Sequence, residues 1–329
     1  MGNGYLQYGL MAMLMALPKL RKINLSGCRY GYYSRINDSF LLNLCKNCEF
    51  LEEIVMFNCI LLTPDGIASA IRERPSLTSL SISLKSNGNI IDSLVNLKGL
   101  TCLDLSDSCI SDELLSSIAT EDLPLRRLVL QYCGGYSYAG CWNCRCDNLT
   151  KLALFALIRN CPLLSEIKME NIGSGIIENS DSSMDFGVYP QLKSLHLAYN
   201  SWLRDDIIKT FPFIFPNLQL LDLNSCTKIS EYCIGQVLRK CRKIRHLNLS
   251  NSEICDSSLY IISKSCFGLL QLDLSNCDNV KEEGVMQVVE KCTQLREINL
   301  QGCRKVAANV VDSMELKQRF LKWHNVVDP

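Results

Sequence analysis

Apolar residues recur along this chain in a fixed unit. Eleven times an apolar anchor is followed by xx[LI]x[LIM], and in six of the eleven a cysteine closes the unit as LxxLxLxxC. The cleanest copies are Leu20-Ile23-Leu25-Cys28, Leu218-Leu221-Leu223-Cys226, Leu269-Leu272-Leu274-Cys277 and Leu295-Ile298-Leu300-Cys303. The anchors are Leu20, Leu51, Leu77, Leu100, Leu125, Leu164, Leu192, Leu218, Ile244, Leu269 and Leu295; their spacings centre on 26 residues, with two longer intervals of 31 and 39. A unit of that size cannot bury its own apolar side and must stack on its neighbours.

Each unit has two halves with different periods. In the first, Leu221 and Leu223 alternate with Leu220, Asp222 and Asn224, which predicts a short strand with one face inward. In the second, Ile229, Cys233, Ile234, Val237, Leu238 and Cys241 form one helical stripe, repeated at Val280–Cys292 and Ile36–Cys48. Asn37, Thr63, Ser111 and Ser230 stand as N-caps, with Pro64 at a first helical position. The fold class is therefore α/β: a leucine-rich repeat solenoid, expected as a right-handed horseshoe with parallel strands on the concave face and helices on the convex face. The expected layout is a partial helical half-repeat over 1–19, about eleven repeats over 20–315 in one elongated domain, and a C-terminal tail over 316–329.

Charge narrows the partners. Lys and Arg number 34, as do Asp and Glu, so no global field draws nucleic acid or an anionic membrane. Of 19 cysteines, six end the strand half (Cys28, Cys59, Cys133, Cys226, Cys277, Cys303) and five end the helix (Cys48, Cys161, Cys241, Cys266, Cys292). At those places cysteine is expected to act as a small apolar core residue with a free thiol, in a reducing cytoplasmic or nuclear compartment. No stretch is long enough to span a bilayer. The apolar run at 9–17 has no basic residue before it and leads into Pro18, unlike a removable signal peptide.

The catalytic signatures are missing: no phosphate loop, no GxSxG elbow and no HExxH helix. The expectation is a non-enzyme with no cofactor. Cys141, Cys144 and Cys146, with Cys133 upstream, put four thiols within fourteen residues. The overlapping CxxC and CxC match zinc spacing poorly and read better as a cysteine-rich insertion, although a metal-dependent module there stays open.

The outward strand column, two and four residues after each anchor, is the candidate site for a protein client. Its named members are Arg127, Val129, Lys168, His196, Asp222, His246, Asn248 and Asp273, with the varied middle stretch from Arg127 to His196 favoured. The competing reading is that Asp222, Asn248, Asp273 and Asn299 only order the strand edge.

The segments LQLLDLNSCTKISEYCIGQVLRKC and LLQLDLSNCDNVKEEGVMQVVEKC resemble the cysteine-containing leucine-rich repeats of F-box proteins, and RINDSFLLNLCKNCEFLEEIVMFNCILLTPDGIASAIRERPSLTSLSIS resembles the plant members of that group. The resemblance implies a substrate receptor of an SCF-type ubiquitin ligase, in which an F-box docks on a Skp-type adaptor and cullin while the repeats hold the client. An F-box needs roughly 40 to 50 residues, and 19 precede Leu20. The expectation is thus of a chain that begins inside a longer architecture, with adaptor and cullin as partners only if an F-box lies upstream. A free-standing repeat scaffold, or a competitor that binds a partner without ligase recruitment, is the alternative.

Overall fold

In a computed structural model, residues 17–26, 36–84, 90–133, 157–172, 187–307, 310 and 322–324 are described. Residues 5–16, Cys28 and the Cys141–Cys146 cluster lie outside that set.

Contacts divide the chain into two units, residues 1–164 with 175–180 and residues 165–174 with 181–329. The first contains β1 (Lys22–Asn24), α1 (Asp38–Asn47), β2 (Glu53–Met56), α2 (Pro64–Arg72), β3 (Ser79–Ile82), α3 (Ile90–Val95), β4 (Cys102–Asp104), α4 (Asp112–Thr120) and β5 (Arg127–Val129). The second contains β6 (Glu166–Lys168), β7 (Ser194–His196), α5 (Asp205–Ile208), α6 (Phe211–Ile214), β8 (Leu220–Asp222), α7 (Glu231–Lys240), β9 (His246–Asn248), α8 (Asp256–Ser265), β10 (Gln271–Asp273), α9 (Glu282–Lys291), β11 (Glu297–Asn299) and β12 (Lys322–His324). Within each unit every strand pairs in parallel with the next, in register: Ile54 lies opposite Leu80 and Leu247 opposite Leu272. Equal offsets from successive anchors therefore form rows across the sheet.

The inward positions behave as the pattern demands. Leu221, Leu223, Leu272 and Leu274 are buried, as are the helix stripes from Phe40 to Cys48 and from Val285 to Cys292. Each such side chain stabilises the stack by about 1.5–3 kcal/mol. All four expected N-caps form: Asn37 accepts from Phe40 N–H, Thr63 from Gly66, Ser111 from Leu114 and Ser230 from Cys233. The capping also runs between repeats, because an acid in the first turn of one helix caps the helix that follows. Asp38 accepts from Thr63 N–H at 2.9 Å, Asp205 from Ser230 N–H at 2.7 Å and Asp256 from Lys281 N–H at 2.8 Å.

Cysteine at the strand end is more than an apolar filler. In the first unit Cys59 Sγ donates to Leu25 O and Cys133 Sγ to Leu105 O; in the second Cys226 donates to Leu197 O, Cys277 to Leu249 O and Cys303 to Leu274 O, all at 3.0–3.2 Å. In two of the repeats that lack the cysteine another donor takes its role, Ser108 reaching Ile82 O and Asn200 Nδ2 reaching Met169 O, whereas Ile172 at the same offset is a buried apolar residue and Ser252 donates to Leu249 O of its own repeat. To the expected small apolar core residue the thiol thus adds a donor to the preceding repeat. The residue just before it is turned into the left-handed region in repeat after repeat, at Asn58, Asp107, Tyr132, Asn171, Tyr199, Ser225, Asn251, Asn276 and Gly302. In that conformation Asn251 N–H reaches Ser275 O and Asn276 N–H reaches Gln301 O, binding each turn to the next repeat.

The 15 cysteines among the described residues stand outside disulfides, and 11 of them are buried. Burial pushes Cys45, Cys241 and Cys266 up to about 12 and Cys161, Cys226, Cys233, Cys292 and Cys303 up to about 11. The thiol proton that the carbonyl bonds require is thereby retained.

One element lies where the sequence reading placed only a tail. β12 pairs with β11 so that Trp323 stands opposite Ile298. Phe320 follows Leu295 by 25 residues, so the anchor period continues into the tail without the leucines that mark it elsewhere.

Candidate partner-binding face

Outward side chains of the second unit form rows because the strands are in register. At four residues past each anchor the row is His196, Asp222, Asn248, Asp273, Asn299; at two past it runs Ser194, Leu220, His246, Gln271, Glu297. All of these but Ser194 line a shallow depression of about 390 Å³ extending from His196 to Asn299. The strand spacing of about 4.8 Å lets neighbouring rungs bond directly. His246 Nδ1–H donates to Gln271 Oε1 at 2.6 Å, Gln271 Nε2 to Glu297 Oε2 at 2.7 Å and Asn299 Nδ2 to Asp273 Oδ2 at 3.0 Å. Because Gln271 gives its amide hydrogens to Glu297, its oxygen faces His246 and sets that tautomer.

Five of the eight expected site residues meet here: His196, Asp222, His246, Asn248 and Asp273. Lys168 stands beside the depression on β6, 3.9 Å from Glu166, whose Oε1 is 3.8 Å from His196 Nε2. Arg127 and Val129 lie on β5 in the other unit. Val129 is 1% exposed, so the expected solvent-facing contact is corrected there: an apolar side chain gains by being covered even at an outward register position. The depression starts at His196, where the varied middle stretch ends.

Several outward polar residues also hold the backbone. The Oδ1 atoms of Asp222, Asn248, Asp273 and Asn299 each accept the N–H two residues on, at 2.9–3.1 Å. These are Asx turns that close the strand end. Edge ordering, the competing reading of these positions, is therefore physically present. For Asp222 and Asp273 it engages one oxygen, and the second faces the rows.

Reading only the second and fourth positions left Glu170 out. It is the sixth residue after Leu164, with the same outward parity, and its carboxylate, a ring nitrogen of His196 and a carboxylate oxygen of Asp222 lie within 4.8 Å of one another. Burial raises the Asp222 carboxyl, and the charges of Glu170 and Asp273 add to this against the hydrogen bonds from Asn224 and Asn248. Two carboxylates at that separation repel by roughly 3 kcal/mol at an effective dielectric of about 20. Among the described residues no helix is long and apolar enough to cross a membrane.

Comparison with known proteins agrees with this geometry. A family described as "Leucine Rich repeat" matches residues 99–119. Part of the chain is similar to "F-box/LRR-repeat protein 4" of Bos taurus, 26% identical over 140 residues, which covers 34% of this chain and 22% of that protein. It is also similar to "Antagonist of mitotic exit network protein 1" of Eremothecium gossypii, 25% identical over 127 residues, covering 37% and 32%. The chain thus spans between about a fifth and a third of the length of these curated relatives. A chain in the yeast Rad7–Elc1 complex shares the fold with a TM-score of 0.56 at 16% identity, covering 98% of this chain and 86% of that one. Repeat pattern, strand pairing and these likenesses give a leucine-rich repeat fold.

Proposed function

We propose that this chain is a non-catalytic protein-binding module whose repeats, within residues 20–315, receive a client on the outward strand face of the second unit. The observation that carries the reading is the depression between His196 and Asn299, lined by polar side chains of five successive strands. Many aligned side chains on a rigid backbone can supply the few central anchors that an interface needs.

The finer reading is substrate recognition for an SCF-type ubiquitin ligase by a cysteine-containing F-box/leucine-rich repeat protein of the plant type, in the cytoplasm or nucleus. The partial likeness to F-box/LRR-repeat protein 4 supports it, as do the buried cysteines outside disulfides among the described residues. Skp-type adaptor and cullin enter this reading through an F-box upstream of Leu20. The alternative is a free-standing scaffold or competitor that holds its partner without ligase recruitment.

The test is a proximity-labelling pull-down comparing the chain with a His246→Trp variant on the strand face and a Tyr232→Ala variant on the helix side, with adaptor and cullin probed in each. Loss of a captured partner with His246→Trp alone is the expected result. Loss with Tyr232→Ala alone would remove the strand-face reading, and a partner set lacking adaptor and cullin even for a version extended upstream of Leu20 would favour the scaffold.

A further inference from the structure

The charge on the strand face is not shared evenly between the units. At the second, fourth and sixth positions after each anchor, β6–β11 carry five carboxylates, Glu166, Glu170, Asp222, Asp273 and Glu297, against one lysine, Lys168. The same positions on β1–β5 carry two acids, Glu53 and Asp104, and two bases, Lys22 and Arg127; Lys22 and Glu53 are already paired at 2.7 Å. The chain has no net charge, which makes this a local field over a depression.

We propose that the outward face of β6–β11 docks a lysine- or arginine-rich segment of the partner protein, with one cationic side chain seated between Glu170, His196 and Asp222. This rests on the strand-face reading given above and adds the chemistry of the partner. Three ligand atoms within 4.8 Å of one another leave a point about 2.8 Å from each, the distance of a charge-assisted N–H···O bond. Two carboxylates and a ring nitrogen there offer acceptors to an ammonium or guanidinium, which carries donors alone. Further along, Asp273 Oδ2 accepts from the neutral amide of Asn299, which leaves its charge uncompensated by that partner. A run of cationic side chains crossing the strands would meet Asp222, Asp273 and Glu297 in turn.

The test is a peptide-display selection on the whole chain with a charge-balanced random library of extended peptides, followed by affinity measurement of the enriched peptides. The expected result is enrichment of basic sequences whose affinity falls steeply between about 50 and about 300 mM salt. The Glu170→Gln/Glu297→Gln variant, with folding checked by circular dichroism, should weaken these peptides on the order of tenfold. Glu53→Gln in the first unit should leave them unchanged. Neutral or acidic peptides that are lost with His246→Trp would overturn the cationic partner and leave the docking face standing. Peptides insensitive to every strand-face substitution, or no enrichment at all, would overturn both. Titration with Zn²⁺ closes the comparison: micromolar binding abolished by Glu170→Gln would give the three residues to a metal and overturn the seat for a side chain.

Discussion

The thiol of Cys303 donates to the backbone carbonyl of Leu274 in the preceding repeat at 3.0 Å. This bond separates two views of the recurring cysteine. If only small apolar bulk matters, Cys303→Ala should be tolerated better than Cys303→Ser, which buries an oxygen. If the donor matters, serine should be the better replacement, as Ser108 already demonstrates at the same offset. The second outcome is expected, with alanine the less stable of the two by about 1 kcal/mol, read from urea unfolding midpoints. Equal midpoints would reduce the cysteine to filler.

The raised thiols have a consequence at alkaline pH. A group whose folded pKa lies above its unfolded value contributes stability that is complete below the unfolded pKa and is lost as pH climbs through the folded one. Eight cysteines lie at about 11 or 12 against an ordinary value of 9.0. The urea midpoint should thus be flat with respect to these groups below pH 9 and decline between pH 9 and 12. Iodoacetamide should label these cysteines slowly in the native protein and promptly once it is unfolded. Rapid native labelling of Cys266 would contradict its burial.

Gly66 is held by a close approach. A Cβ there would lie 1.9 Å from the Asp38 side chain, which crosses over to cap Thr63. Gly66→Ala gains up to about 1 kcal/mol of helix propensity, yet the cap must be displaced, and overpacking of this kind costs about 1–3 kcal/mol. A net loss is expected. The double variant Asp38→Ala/Gly66→Ala should lose less than the sum of the singles, because removing Asp38 frees the space. Simple additivity would exclude the steric cause.

The repeats were legible because their register is written twice, once in the alternating leucines and once in the helix stripe; all eleven anchors lead into strands. Leu20 and Leu295 show the period in full, whereas the sequence leading into β12 has Phe320 at the anchor spacing and Trp323 in the strand, so the leucines that mark the period elsewhere are missing there. The site was partly legible. His196, Asp222, His246, Asn248 and Asp273 lie on outward positions that alternation alone identifies, and the depression gathers them. Glu170 was missed because it lies just beyond the strand, where the column was not followed. The burial of Val129 depends on packing that the period of its strand does not encode.

Asp273 combines both roles that the outward column allows. Its Oδ1 accepts from Ser275 N–H at 2.9 Å and from Ser275 Oγ at 2.7 Å, while Oδ2 accepts from Asn299. Asp273→Asn retains the turn acceptor but removes the charge and the acceptor for Asn299; Asp273→Ala removes all three. Stability should therefore fall by about 1–2 kcal/mol in the alanine variant and by less in the asparagine variant, measured by urea unfolding. Binding of a basic peptide should weaken in both, because the asparagine has lost the charge that attracts it. If asparagine binds as well as the parent, the carboxylate serves the turn alone, and the attraction along this row must come from Glu170, Asp222 and Glu297.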